Sequence, residues 1–325
     1  MRSPRRTLFA ALALSLALGV MACGGDSGAA RSPVPDPSGP PEKTELKVAT
    51  LPIIDNAALY VALKNGLFEK EGIKVTPVPI QAGPQGVPML LNGEADVIFA
   101  NYVSMFQAND TGVLQVKILA EGSRAAPQSL SIMALPGSPI KTPKDLEGKT
   151  INVQVLKNFQ ELALTQVLKR HGVDPTKITY VPVTFQDLVP AWQKGQIDAA
   201  YVGEPMVTSL TTKLGARKIL DPASGPAAEF PISGYVTTRD WSARNPAASA
   251  AFRRAIHAAG KLTADRTSVT SVLPEFTQVD RATAERVTLP FFPDEDEPVR
   301  LQRVADWMSQ AGWLSKPLDV TSLMR

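Results

Sequence analysis

LNGEAD at residues 91–96 returns as QKGQID at residues 193–198. Gly93 and Gly195 stand 102 residues apart, and so do Asp96 and Asp198. A glycine closes a helix in the left-handed conformation, and here an aspartate next opens an apolar run. The pattern around each copy matches too. Before the first lie a strand at Leu46–Leu51, a helix at Ala57–Lys70, a strand at Ile73–Ile80 and a short helix at Gly86–Asn92. Ala95–Ala100 reads as the strand that follows. Around the second, the same order is Thr150–Val155, Phe159–Arg170, Ile178–Val183, Gln186–Lys194 and Ile197–Val202. Helical spacing of apolar residues alternating with short Val/Ile/Ala runs predicts parallel sheets covered by helices on both faces. Two such units predict two lobes. From Tyr235 the chain reads as mostly helical, with helices at Asn245–Leu262, after Asp280, and at Glu297–Ala311. Their apolar stripes have no sheet of their own and must dock on a lobe.

Composition narrows the function. Of 325 residues, 44% are hydrophobic and 20% charged, which excludes bulk disorder. Three of the 34 basic residues, Arg2, Arg5 and Arg6, precede residue 22; without them 31 bases face 31 acids. A neutral chain lacks the basic footprint of a nucleic-acid binder. One cysteine excludes an internal disulfide or a cysteine-based metal cluster, and two histidines are few for a histidine metal centre. No cofactor is expected. The sequence has no nucleophile elbow, no phosphate-binding glycine loop and no His-Glu-x-x-His.

The N-terminus reads as an address. A basic head is followed by the apolar run Leu8–Met21, too short to span a bilayer. The run ends Val20-Met21-Ala22-Cys23. This resembles the bacterial lipoprotein signal, which implies removal of residues 1–22 and acylation of Cys23; Met21 is larger than that motif prefers. Residues 23–44, rich in Gly, Ser and Pro, read as a tether reaching about 25 Å as a flexible coil. An extracytoplasmic protein, lipid-anchored to the bacterial cell membrane, is the expectation.

Four segments carry a resemblance to a known family. They are ALYVALKNGLFEKEGI at 58–73, LNGEAD at 91–96, DLEGK at 145–149 and IDAAYVGEP at 197–205. In this order they resemble the solute-binding proteins of ABC importers, in the nitrate, sulfonate, taurine and thiamine-precursor group. The resemblance covers roughly Leu46 to Leu323. It implies the type II periplasmic-binding-protein fold, with each α/β lobe a mainly parallel sheet flanked by helices. Lobe 1 would take residues 45–122, lobe 2 residues 123–232, and residues 233–325 would return to lobe 1 with the C-terminal helices. The crossings would fall near 120–132 and 221–236. The implied partners are a small polar or anionic ligand and an ABC permease and ATPase complex; a monomer is expected. The resemblance also admits an enzyme on the same fold, of pyrimidine-precursor or menaquinone-pathway type, or a ligand sensor.

Ligands of open parallel sheets bind outside the carboxyl ends of the strands. That rule selects Asp55 and Asn56 after the first strand, and Asn101 and Tyr102 after the third. In the second unit it selects Asn158 and Phe159, with Lys157 beside them, and Glu204 before Pro205. Amides and rings together suit a small polar or planar solute. Each residue also has a plain structural role open to it. Asn56 and Asn158 can cap helices, Tyr102 and Phe159 can pack the lobes, and Glu204 can brace its loop. The ligand's charge is left open: Asp55 and Glu204 favour an amine or hydroxyl, while Lys157, Arg124 and the helix N-termini favour an anion. The acidic run Asp294–Glu297 reads as a solvated helix start. His171 reads as a helix-end charge partner, and His257 as a surface or groove side chain.

Overall fold

A computed structural model describes residues 37–80 and 83–324. The leader and Cys23 lie outside the described residues. Lobe 1 opens with β1 (Glu45–Thr50), α1 (Ala57–Lys64) and α2 (Leu67–Lys70). It continues with β2 (Lys74–Pro79), α3 (Gly86–Leu91), β3 (Val97–Asn101), α4 (Tyr102–Asp110) and β4 (Val116–Arg124). Lobe 2 holds β5 (Leu130–Ala134), β6 (Thr150–Val153), α5 (Phe159–Arg170), β7 (Thr179–Pro182), α6 (Leu188–Gln193), β8 (Ala200–Gly203), α7 (Met206–Leu214) and β9 (Arg217–Leu220). The chain returns through β10 (Pro231–Thr238), α8 (Arg239–Arg244) and α9 (Pro246–Leu262). Then follow α10 (Arg266–Thr270), α11 (Leu273–Phe276), α12 (Arg281–Ala284), α13 (Pro298–Gln310) and α14 (Thr321–Met324).

The repeated phrase does the same work twice. Gly93 and Gly195 take φ of +72° and +69°, the left-handed turn that ends α3 and follows α6. Asp96 N–H donates to Lys47 O at 2.9 Å, and Asp198 N–H to Thr150 O at 2.8 Å. The Asp96 carboxylate then reaches back to β1 and the Asp198 carboxylate to the start of β6. Asp96 Oδ2 accepts from Lys47 N, and Asp198 Oδ2 from Thr150 N. These aspartates register β3 against β1 and β8 against β6.

The first sheet runs β2-β1-β3-β10-β4. Its first three strands are parallel, while β10 is antiparallel to both β3 and β4. In lobe 2, β6 and β7 are parallel, and β5 lies antiparallel between β8 and β9. One parallel bridge, Ile151 to Ala199, links the two sets. There Asn152 stands in for a ladder: Tyr201 N donates to its Oδ1 at 2.8 Å, and its Nδ2 donates to Tyr201 O at 3.2 Å. The first sheet is therefore parallel in its first three strands, as expected, whereas lobe 2 departs from the mainly parallel expectation: only β6 and β7 form a parallel ladder, and β8 pairs antiparallel with β5.

Three readings of the sequence change. The helix expected over Ala57–Lys70 is two, broken where Gly66 turns left-handed at φ +60°. Tyr235, expected to begin a helical region, lies in β10 between two strands of the first sheet. The last residues of the expected tether are fastened to lobe 1: Glu42 accepts from Ala247 N and Ala248 N at 3.1 Å, and Lys43 pairs with Asp96 at 2.6 Å. The Glu42 carboxylate supplies the N-terminal cap that Asn245 does not give α9.

Candidate functional site

The strand-end loops of the two lobes meet. On lobe 1, Asn101 ends β3 in extended geometry, and its Oδ1 accepts from Ser104 N at 2.9 Å, capping α4. On lobe 2, Lys157 turns left-handed at φ +52° and delivers Asn158 to the start of α5. Glu161 Oε1 accepts from Lys157 N at 2.7 Å and holds that turn. Asn158 Oδ1 accepts from Phe159 N at 2.8 Å, while Asn158 Nδ2 donates across the lobes to Ser104 Oγ at 2.9 Å. Gln107 Nε2 donates to Lys157 O at 3.0 Å beside it. A second polar bridge joins Glu204 of lobe 2, whose Oε1 accepts from Thr288 N at 3.2 Å. Thr208 N and the Thr208 hydroxyl also donate to this carboxylate, at 3.0 and 2.8 Å, which holds it at the start of α7.

The seven strand-end residues thus divide. Asn101, Asn158 and Glu204 stand at or across the lobe junction. Phe159 is half-buried and packs on the edge of the largest apolar cluster. Asp55 is partly exposed, and the Ser123 hydroxyl donates to its Oδ1 at 2.9 Å. Burial pushes its carboxyl above the usual range, and the Ser123 hydrogen bond opposes that shift. Asn56 and Tyr102 are fully buried in lobe 1. Asn56 donates to Thr50 Oγ1 and accepts from the Tyr235 hydroxyl at 2.9 Å. The Tyr102 ring packs beside Phe106 and its hydroxyl lies over Gly234. Burial raises the Tyr102 pKa well above normal, and the nearby Glu121 and Asp296 charges raise it further.

Arg124, one of the groups read as favouring an anion, is already neutralised. Its Nε donates to Glu121 at 2.7 Å and its Nη1 to Glu297 at 2.7 Å. Burial pushes Glu121 up to about 7 against the pull of Arg124. The acidic run 294–297 is correspondingly not all solvated. Asp296 Oδ1 accepts from Glu121 N at 2.9 Å and lies 3.2 Å from His257 Nε2, while Glu297 holds Arg124 and Arg300. His257 is thereby a partly buried neighbour of the Asp296 carboxylate. His171, as read, sits at the C-terminal end of α5.

Sequence reasoning missed Ser104, Gln107, Ser123 and Thr288. Ser104 and Gln107 lie inside α4, one turn beyond the strand end, and a search extended by that turn finds them. Ser123 and Thr288 carried no local signal. Two surface depressions of about 390 and 250 Å³ lie elsewhere, one lined by Lys261, Phe291 and Phe292, the other by Asn92, Asp96 and Trp241. Neither contains a strand-end residue named above. Among the described residues no three His, Cys, Asp or Glu side chains group as metal ligands, and no helix is long and apolar enough to cross a membrane.

Two α/β lobes with polar strand-end loops facing each other define a periplasmic-binding-protein fold. The chain belongs to the NMT1/THI5-like family, whose model matches residues 54–266. An Escherichia coli (strain K12) protein named for aliphatic sulfonate binding is 27% identical over 191 residues, 58% of each chain. The chain thus spans under two thirds of that relative's length. The alkanesulfonate-binding protein of Xanthomonas axonopodis pv. citri, solved with MOPS bound, superposes with a TM-score of 0.71 at 20% identity, over 87% of this chain and 99% of that one. A desulfurization enzyme superposes with a TM-score of 0.64 at 18% identity, over 87% and 96%. At such identities these structures share the fold alone.

Proposed function

We propose that this chain is the extracytoplasmic solute-binding component of an ABC importer. Lobe 1, with the returning C-terminal helices, and lobe 2 close on a small polar molecule and present it to a permease and ATPase complex. Acylated Cys23 holds the monomer at the membrane. The observation that carries this reading is the lobe junction. Few polar bonds cross it at the strand-end loops, and each links groups that water satisfies when the lobes part. Such a junction opens and recloses at low cost. Family membership and the sulfonate-binding relatives support the same reading. A thermal-shift screen against amines, pyrimidines, sulfonates and nitrate tests it, because a ligand at 100 times its Kd adds about 2.7 kcal/mol. The competing reading is an enzyme, favoured by the fold shared with the desulfurization enzyme. Chemical conversion of a screened ligand by the purified chain would establish that reading instead.

A further inference from the structure

The charge at the strand ends of lobe 1 and the apolar surface at those of lobe 2 narrow the ligand class. On lobe 1 the strand-end surface offers the carboxylate of the partly exposed Asp55. Asp55 accepts from Ser123, and among the described residues no Lys, Arg or His pairs with it. The neighbouring cation in sequence, Arg124, is held by Glu121 and Glu297. Asp55 also sits in the turn leading into α1, so its own charge already complements that helix N-terminus. An anion arriving there would meet a like charge rather than a free dipole. On lobe 2, Glu204 adds a second carboxylate, satisfied by three hydrogen bonds. On lobe 2, Lys157 is a cation exposed on the rim.

The same end of lobe 2 carries apolar surface. Val183 N donates to Val153 O at 2.9 Å, which continues the β6–β7 register. Two residues further along each chain, Val155 and Phe185 are 50% and 45% exposed, with Leu156 at 48%. Single exposed apolar side chains need no explanation. Here the register brings three to one end of one sheet, beside the Lys157–Asn158 turn that bonds lobe 1.

Resting on the two-lobe capture reading, we propose that the solute carries a protonated nitrogen next to an apolar body. Asp55 binds the nitrogen, and Val155, Leu156 and Phe185 cover the body. An ammonium gives Asp55 the counter-charge that the protein withholds, and the apolar rim excludes water from that pair.

Calorimetric titration of the full chain with two matched sets tests this: n-alkyl and phenylalkyl primary amines, and the sulfonates built on the same skeletons. The amines should bind and the sulfonates should not, with affinity rising as the skeleton lengthens. Asp55→Asn, with its fold checked by circular dichroism, should weaken amine binding about 30-fold or more, the loss seen when one partner of a buried charge pair is removed. Phe185→Ser, at an exposed position, should flatten the dependence on skeleton length. Sulfonates binding as well as amines would overturn the amine class and leave two-lobe capture standing. So would amine affinity unchanged in Asp55→Asn. An undiminished length dependence in Phe185→Ser removes the apolar rim from the site. Binding by neither set counts against both the class and the capture reading.

Discussion

Replacing Ser104 with Ala separates closure from folding. In this structure Ser104 Oγ accepts from Asn158 Nδ2 at 2.9 Å, and Asn158 is 4% exposed. Without the hydroxyl, the Asn158 amide is left with a buried donor lacking that partner. Such a group costs about 1–3 kcal/mol. With the lobes apart, water satisfies the same amide, so the cost falls on the closed state alone. That corresponds to about a 5- to 150-fold shift of the closed–open equilibrium, and the apparent Kd should rise by the same factor. Folding should barely change, because the cap from Ser104 N to Asn101 Oδ1 uses the backbone and survives. Asn158→Ala is the contrasting variant. It removes the same cross-lobe bond and also the Phe159 N bond at the start of α5, which costs about 1 kcal/mol of fold stability. Titration calorimetry with a ligand from the screen, alongside thermal unfolding of ligand-free protein, reads both quantities. A lowered Tm with unchanged Kd in Ser104→Ala refutes the assignment of this bond to closure.

Three further outcomes are expected. Burial holds the folded pKa of Glu121 near 7, above its ordinary 4.5. Between those values the folded state binds the extra proton and the unfolded state does not. This group's contribution is therefore full below about pH 4.5 and is lost as pH rises through 7. Urea unfolding from pH 4 to 8 should show that fall, and Glu121→Gln should flatten it. Glu204→Gln keeps one acceptor oxygen of the two that Thr208 and Thr288 share, and should lower stability by about 1–3 kcal/mol in the same assay; unchanged stability would free Glu204 from its bracing role. Cys23→Ser should abolish fatty-acid incorporation during metabolic labelling, and equal labelling of both forms would remove the anchor.

The parts of the fold that a local pattern specifies were legible. The Gly–Asp phrase marked β3 and β8 because glycine geometry and strand opening are set by a few adjacent residues. The helix Phe159–Arg170 was read with its observed limits because its cap and its closing Gly172 are local. The crossing strands were not legible. β4 ends in Glu121, Ser123 and Arg124, which look like surface residues; they are buried because Glu297, Asp55 and Asp296 meet them from distant parts of the chain. β10 likewise takes its place from β3 and β4, not from its own spacing. At the site, the strand-end rule found Asn101, Asn158 and Glu204 but also selected Asn56 and Tyr102. Those two side chains turn inward to Tyr235 and Gly234, which lie more than 130 residues further on in sequence. Direction from a strand end is set by such distant contacts, and a sequence pattern carries no record of it.

A crystal structure of the chain with its tightest-binding ligand tests two-lobe capture most directly. Density for the ligand is expected between Asp55 and Asn101 of lobe 1 and Asn158 and Glu204 of lobe 2, in contact with both lobes. Ligand density confined to one lobe, or seated in the depression beside Lys261 and Phe292, would contradict it.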